Sequence, residues 1–197
     1  MIIMNKQEII NFYNESSEKS KFSWEASRWF SEESQYERFA VAGSFLMPDC
    51  SVLDVGCGQG DFYKFIKSRY KNIKYKGIDF SESMIKKAKE KYSATFEKED
   101  ILENNEQFDC VFALGTFNLQ VEKQQEYIKS HLKKCFDCCL NRVVICIKDN
   151  SCIEKYEQMY YYNPADVLKL SLDITSNVLL STSFLPSEIV LCMYKIQ

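Results

Sequence analysis

Short runs of β-branched and aromatic residues alternate with longer stretches in which apolar side chains recur every three or four positions. That alternation predicts strands and helices taken in turn, the pattern of a parallel sheet covered on both faces. Ser51 to Val55 reads as a first strand, followed by a glycine loop and a helix carrying Phe62, Phe65 and Ile66 at helical spacing. Ile73 to Asp79 is the second strand, and Ser81 stands where it can cap a helix that buries Met84, Ile85 and Ala88. Ala94 to Glu99 and Phe108 to Leu114 supply the third and fourth strands, joined by the polar stretch Glu103 to Glu106. A helix over Val121 to Phe136 and the β-branched run Arg142 to Ile147 complete the fifth unit.

Asn163 and Pro164 read as the cap and first residue of a helix through Leu172, with Val167, Leu168 and Leu172 expected inside. Two final strands, near Asn177 to Ser181 and Glu188 to Lys195, have a link too short for a crossover helix, so they are expected to be antiparallel neighbours. Before Ser51, apolar clusters at Ile9, Ile10 and Tyr13 and at Tyr36, Phe39, Ala40 and Ala42 predict helices. The intervening Lys21 to Ser34 holds Trp24 and Trp29, and covering a site or packing on a sheet edge are equally open readings of it. One domain is expected over 1–197, with 1–50 as a helical cap and 51–197 as the sheet core.

Composition narrows the partners. With 46% hydrophobic and 27% charged residues, the chain falls in the ordinary globular range. A net charge of -3 supplies no global field for a phosphate backbone, so nucleic acid is disfavoured. Lys86, Lys87, Lys89 and Lys91 are interspersed with acids and are expected on a solvated helix face. The opening residues lack the apolar run of an export signal, no stretch has the length of a membrane span, and 9 Cys at irregular spacing suggest reduced thiols. A cytoplasmic location is the expectation. Cys135, Cys138 and Cys139 lack a second pair at zinc spacing, so no metal is assigned.

The chemistry concentrates at VLDVGCGQGDF, Val52 to Phe62, where Gly56, Gly58 and Gly60 alternate after an apolar strand. Glycines let backbone approach a ligand closely, and the helix that follows presents free amide donors. Asp54 at the strand end is placed to brace the loop or reach a ligand amine. The spacing GxGxG differs from the GxGxxG of dinucleotide binders, while Asp79 ends the second strand where an acid meets ribose hydroxyls.

With these motifs in order, the chain resembles the class I S-adenosylmethionine-dependent methyltransferases from Val52 through at least Leu114, and within them the small bacterial type 11 and type 12 methyltransferase-like domains. The resemblance implies a Rossmann-like three-layer sandwich with a seven-stranded, mostly parallel sheet whose last strand is antiparallel, plus N-terminal helices. It implies S-adenosyl-L-methionine as cofactor. The loop Gly56, Cys57, Gly58 and Gly60 would hold its methionyl part, and Asp79 its ribose hydroxyls. Phe80 and Met84 would pack near adenine, Asp100 and the Ile101 amide would meet the adenine edge, and Ala113 and Leu114 would lie against the cofactor. Arg38, if turned inward, would pair with its carboxylate.

Direct methyl transfer to a small-molecule acceptor is the activity so implied, with a non-catalytic cofactor binder and a nicotinamide-dependent oxidoreductase as alternatives. No catalytic base stands out. His131 is expected to pack within its helix, and Asp149 with Asn150 is read as a polar turn near the open edge of the sheet. Phe117, Asn118, Trp29 and Tyr160 to Tyr162 are candidate walls of the acceptor pocket.

Overall fold

The computed structural model describes residues 2–196. Three helices open the chain, α1 (Lys6–Lys19), α2 (Ser23–Ala26) and α3 (Glu32–Gly43). Strands and helices then alternate: β1 (Ser51–Val55), α4 (Asp61–Lys67), β2 (Lys74–Asp79), α5 (Glu82–Lys91), β3 (Thr95–Lys98), β4 (Phe108–Leu114) and α6 (Gln124–Asp137). The chain closes with β5 (Cys139–Lys148), α7 (Pro164–Leu172), β6 (Val178–Ser181) and β7 (Glu188–Tyr194).

The strands form one sheet in the order β3-β2-β1-β4-β5-β7-β6. β1 to β5 pair in parallel, and β7 runs antiparallel to both β5 and β6. This is the seven-stranded, mostly parallel arrangement expected from the sequence. The order steps outward from β1 in both directions, so the ends of β1 and β4 splay apart at the switch point where α/β sheets bind ligands.

Two apolar layers sandwich the sheet. One gathers Leu53, Ile78, Val111, Ile145 and Leu191 under α6 and α7. The other gathers Val52, Phe62, Phe112, Val144 and Val190 under α3, α4 and α5. Alternate residues of each central strand thus face opposite layers, which is why β5 reads as a continuous apolar run.

Helix starts follow their caps. Ser81 accepts the Met84 amide at 3.2 Å and opens α5, as expected. Asn163 accepts the Ala165 amide at 2.9 Å and opens α7 ahead of Pro164. Replacing Asn163 by alanine removes that acceptor and is expected to lower stability by about 1 kcal/mol in chemical denaturation, with donor binding unchanged.

Some boundaries differ. α6 begins at Gln124, three residues beyond the expected Val121, because Val121 bridges to Met4 and gives its amide to the Gln124 side chain at 2.9 Å. In α7 the buried stripe is Val167 and Ser171, with Leu170 partly covered, whereas Leu168 and Leu172 are 38% and 51% exposed. Burial of Ser171 is possible because its hydroxyl donates to the Val167 carbonyl at 2.8 Å. Ala40, expected in an apolar cluster, is exposed on α3.

Candidate active site

A cavity of about 620 Å³ opens over the carboxyl ends of β1, β2, β4 and β5, within the range of roughly 300–1,000 Å³ that takes small molecules. The glycine loop forms its floor. The amides of Gly56 and Cys57 both donate to the Ile78 carbonyl, at 2.8 and 3.0 Å, which ties the loop to β2. Gly56 has φ +70°, and a Cβ there would come within 2.5 Å of Thr116, whose hydroxyl donates to the Val55 carbonyl at 2.7 Å. Only glycine allows this turn.

Asp79 stands at the tip of β2 beside the loop. Its carboxylate accepts the Gly58 amide at 3.0 Å through one oxygen and the Ser81 amide at 2.8 Å through the other. Burial pushes its pKa up to about 6, partly opposed by the Ser81 and Gly58 amides. Each oxygen keeps acceptor capacity toward the cavity. Asp54 lies deeper, accepts the Tyr75 hydroxyl at 2.6 Å, and is pushed by burial up to about 7.

Arg38, Asp54, Gly56, Cys57, Gly58, Asp79, Phe80, Met84 and Leu114 all line this one cavity. Gly60, Asp100, Ile101 and Ala113 are not among its walls. Gly60 is the left-handed cap of α4 and packs on Phe96, with an added Cβ falling 2.8 Å from that ring. Asp100 accepts the Leu102 amide at 3.0 Å and pairs with Lys6 of α1 at 2.6 Å. Ile101 is buried, and Ala113 points into the opposite core layer.

The N-terminal helices form the upper wall. Tyr13 of α1 and Trp24, Ser27, Arg28 and Trp29 around α2 face the cavity, so the aromatic connection covers the site. α1 is fastened to the β2–α5 region: the Ser81 hydroxyl donates to Asn14 at 2.7 Å, and Lys87 donates to the Ser17 carbonyl. Lys91 likewise donates to Gln59 of the glycine loop at 2.5 Å. Lys86, Lys89 and Lys91 are exposed, in keeping with the solvated face expected, while Lys87 and Lys91 also bond across elements.

Of the expected acceptor walls, Trp29, Asn118 and Tyr161 line the cavity, while Phe117, Tyr160 and Tyr162 do not. Phe117 packs against Tyr127 and His131 in the core. Tyr162 donates to the Phe117 carbonyl at 2.6 Å and is enclosed. His131 is buried in α6, stacked on Tyr127, and burial lowers its pKa. Asp149 accepts the Ser151 amide at 2.8 Å, which makes it part of a turn.

Lys148, Met159, Thr116 and Tyr13 are walls that the sequence reading missed. Lys148 carried a signal, as the charged residue that ends the apolar run of β5. The thiols of Cys135, Cys138 and Cys139 are buried, and among the described residues no group of three or more His, Cys, Asp or Glu is arranged to hold a metal. No helix among the described residues is long and apolar enough to cross a membrane.

Comparison with known proteins follows the same outline. Residues 52–138, which carry the glycine loop and Asp79, match the family model described as "Methyltransferase domain". The matched segment is less than half of the chain and runs from β1 through α6. "Putative methyltransferase 235L" of Invertebrate iridescent virus 6 is 36% identical over 80 residues, 39% of this chain. That match spans only 30% of the viral protein's length.

The chain is also similar in fold to magnesium protoporphyrin IX methyltransferase from Synechocystis PCC 6803, solved with bound S-adenosylmethionine. The TM-score is 0.70, with 15% identity over 99% of each chain. A methyltransferase from Archaeoglobus fulgidus gives a TM-score of 0.70 at 16% identity, covering 87% of this chain and 97% of that one. A complex of DhpI with S-adenosylhomocysteine gives 0.72 at 11% identity, covering 95% and 96%.

Proposed function

We propose that this chain binds S-adenosylmethionine across the tips of β1, β2 and β4 and transfers its methyl group to a small molecule held beside α2 and β5. The observation that carries the reading is the Asp79 carboxylate, fixed by the Gly58 and Ser81 amides at the cavity wall with acceptor capacity left for two neighbouring hydroxyls. The other residues fit the same donor. Gly56 and Gly58 keep the floor free of side chains, Phe80 and Met84 give an apolar slot for a base, and Asp54 offers a buried carboxylate near the loop.

When bound, the donor supplies an electrophilic methyl group on a sulfonium that departs as a neutral thioether. The protein then has two tasks, holding the acceptor's lone pair in line with that methyl and keeping water away. Trp24, Trp29, Leu114 and Met159 serve the second task by walling the cavity with apolar surface. Gly115 serves the first: with no Cβ, it lets the Trp29 ring lie against the end of β4, where an added Cβ would fall 2.9 Å from it.

Calorimetry with S-adenosylmethionine, S-adenosylhomocysteine and NAD tests the donor. Binding of the first two and not the third is expected, and the reverse selectivity would make the chain a nicotinamide binder. Incubation with labelled donor and a small-metabolite extract then separates an enzyme from a silent binder, because only an enzyme moves label into small products.

A further inference from the structure

Beyond the donor end, three charged residues from three elements meet at the far wall of the cavity. Lys148 ends β5, Glu188 opens β7 directly opposite it in register, and Arg38 comes from α3. Lys148 and Arg38 both bond the same Glu188 oxygen, each at 2.6 Å. Glu188 is fully buried and is not a cavity wall, whereas both cations are. Two cations sharing one carboxylate leave one positive charge facing a largely apolar space, where its attraction for an anion is strong.

The donors available there can be counted. Arg38 is 8% exposed, gives one nitrogen to the Ser34 carbonyl and another to Glu188, and lies with its guanidinium 5.0 Å from the Trp29 ring centre. Lys148 has three ammonium protons and, among the described residues, Glu188 as its side chain's one partner. Asn118 is 6% exposed and uses its side-chain carbonyl to accept the Lys148 amide at 2.9 Å. Its amide nitrogen has no acceptor among the described residues, and Asn118 too is a cavity wall.

Five acids also line the cavity: Asp54 and Asp79 lie at the glycine-loop end, and Asp61 accepts from the Gln35 side chain at 3.3 Å. Glu25 accepts the Lys21 and Phe22 amides, each at 3.2 Å, and Glu154 is exposed on the loop after β5. The surrounding walls are Trp29, Met159 and Tyr161.

We propose that the acceptor is an organic acid: its carboxylate is anchored by the Lys148 ammonium and the Asn118 amide, and its apolar body lies against Trp29, Met159 and Tyr161. This deepens the methyl-transfer reading and rests on it. A carboxylate clamped by an ammonium is a weak nucleophile, so the anchored group orients the acceptor and the attacking lone pair lies elsewhere on it. That lone pair forms the new bond to the methyl carbon, the carbon–sulfur bond breaks with its electrons going to sulfur, and a proton on the attacking atom leaves to solvent.

The probes are 1-naphthaleneacetate and its neutral amide, alike in shape and different in charge, titrated calorimetrically into protein saturated with S-adenosylhomocysteine. The carboxylate is expected to bind at least tenfold more tightly than the amide. Lys148→Met removes that preference and Lys148→Arg keeps it, with S-adenosylhomocysteine affinity unchanged in both. Arg38 still neutralises Glu188 in these variants, and thermal melting verifies their fold.

Equal affinities, no measurable carboxylate binding, or a preference that survives Lys148→Met each overturn the proposal. So does a tenfold loss of S-adenosylhomocysteine affinity in Lys148→Met, which would assign the lysine to the donor's own carboxylate. Failure of wild-type protein to bind S-adenosylhomocysteine at all would instead remove the methyl-transfer reading, and the same probe pair on the free protein would still decide the anion site.

Discussion

Replacing Asp79 by alanine is expected to weaken S-adenosylmethionine binding by about 3 kcal/mol or more, over a hundredfold, because two charge-assisted hydrogen bonds of roughly 1.5–3 kcal/mol each are lost. The freed Gly58 and Ser81 amides lose their acceptor as well, so the loop floor loosens. Asp79→Asn keeps one acceptor oxygen and is expected to fall between the two.

The pH dependence adds an independent check. Only the ionised carboxylate accepts from both hydroxyls, and in the free protein Asp79 titrates at about 6. Donor affinity should therefore be level above pH 7 and fall about tenfold per unit below 6, with Asp79→Asn removing that slope. Stability of the free protein carries the opposite sign. A carboxyl raised from 3.8 to about 6 stabilises the fold fully below 3.8, and that contribution is lost as pH rises through 6. An unchanged donor affinity in a folded Asp79→Ala variant would sink the donor site itself.

Glu188→Ala is the second large effect. Removing a fully buried carboxylate leaves Arg38 and Lys148 as uncompensated neighbours, and breaking such a buried pair costs about 3–5 kcal/mol. The desolvated guanidinium dominates, since Lys148 can swing toward solvent and Arg38 cannot. Denaturant unfolding should show the unfolding free energy falling by that amount, with a correspondingly lower midpoint. Coupling Glu188→Leu with Arg38→Met should recover much of the loss, because apolar replacements of similar volume remove the stranded charge. A loss below about 1 kcal/mol for Glu188→Ala would mean that the cluster does not hold these elements together.

The strand and helix order was legible because each central strand is apolar on both faces and several helices announce their caps, as at Ser81 and Asn163. The glycine floor of the cavity was legible for the same local reason: a positive φ at Gly56 and Gly58 needs glycine, and the acid follows at the next strand tip. What failed to show were features decided by side-chain hydrogen bonds, some of them to distant partners. Ser171 is inside because its hydroxyl turns back to Val167, so a polar residue hid the true stripe of α7. Tyr162 looked like a pocket wall, yet its hydroxyl reaches Phe117 across 45 positions. Glu188 looked like an ordinary strand start until the hairpin set it opposite Lys148, with Arg38 150 positions away in sequence.

The matched segment, 52–138, brings the loop floor, Asp79 and Asn118, whereas the aromatic roof and the Arg38–Lys148–Glu188 cluster come from residues 24–38 and 148–188. On the proposed reading, donor recognition and acceptor choice rest largely on different stretches of chain that meet in three dimensions. Exchanging the flanking stretches while retaining the central one would retarget the chemistry and leave the methyl source as it is.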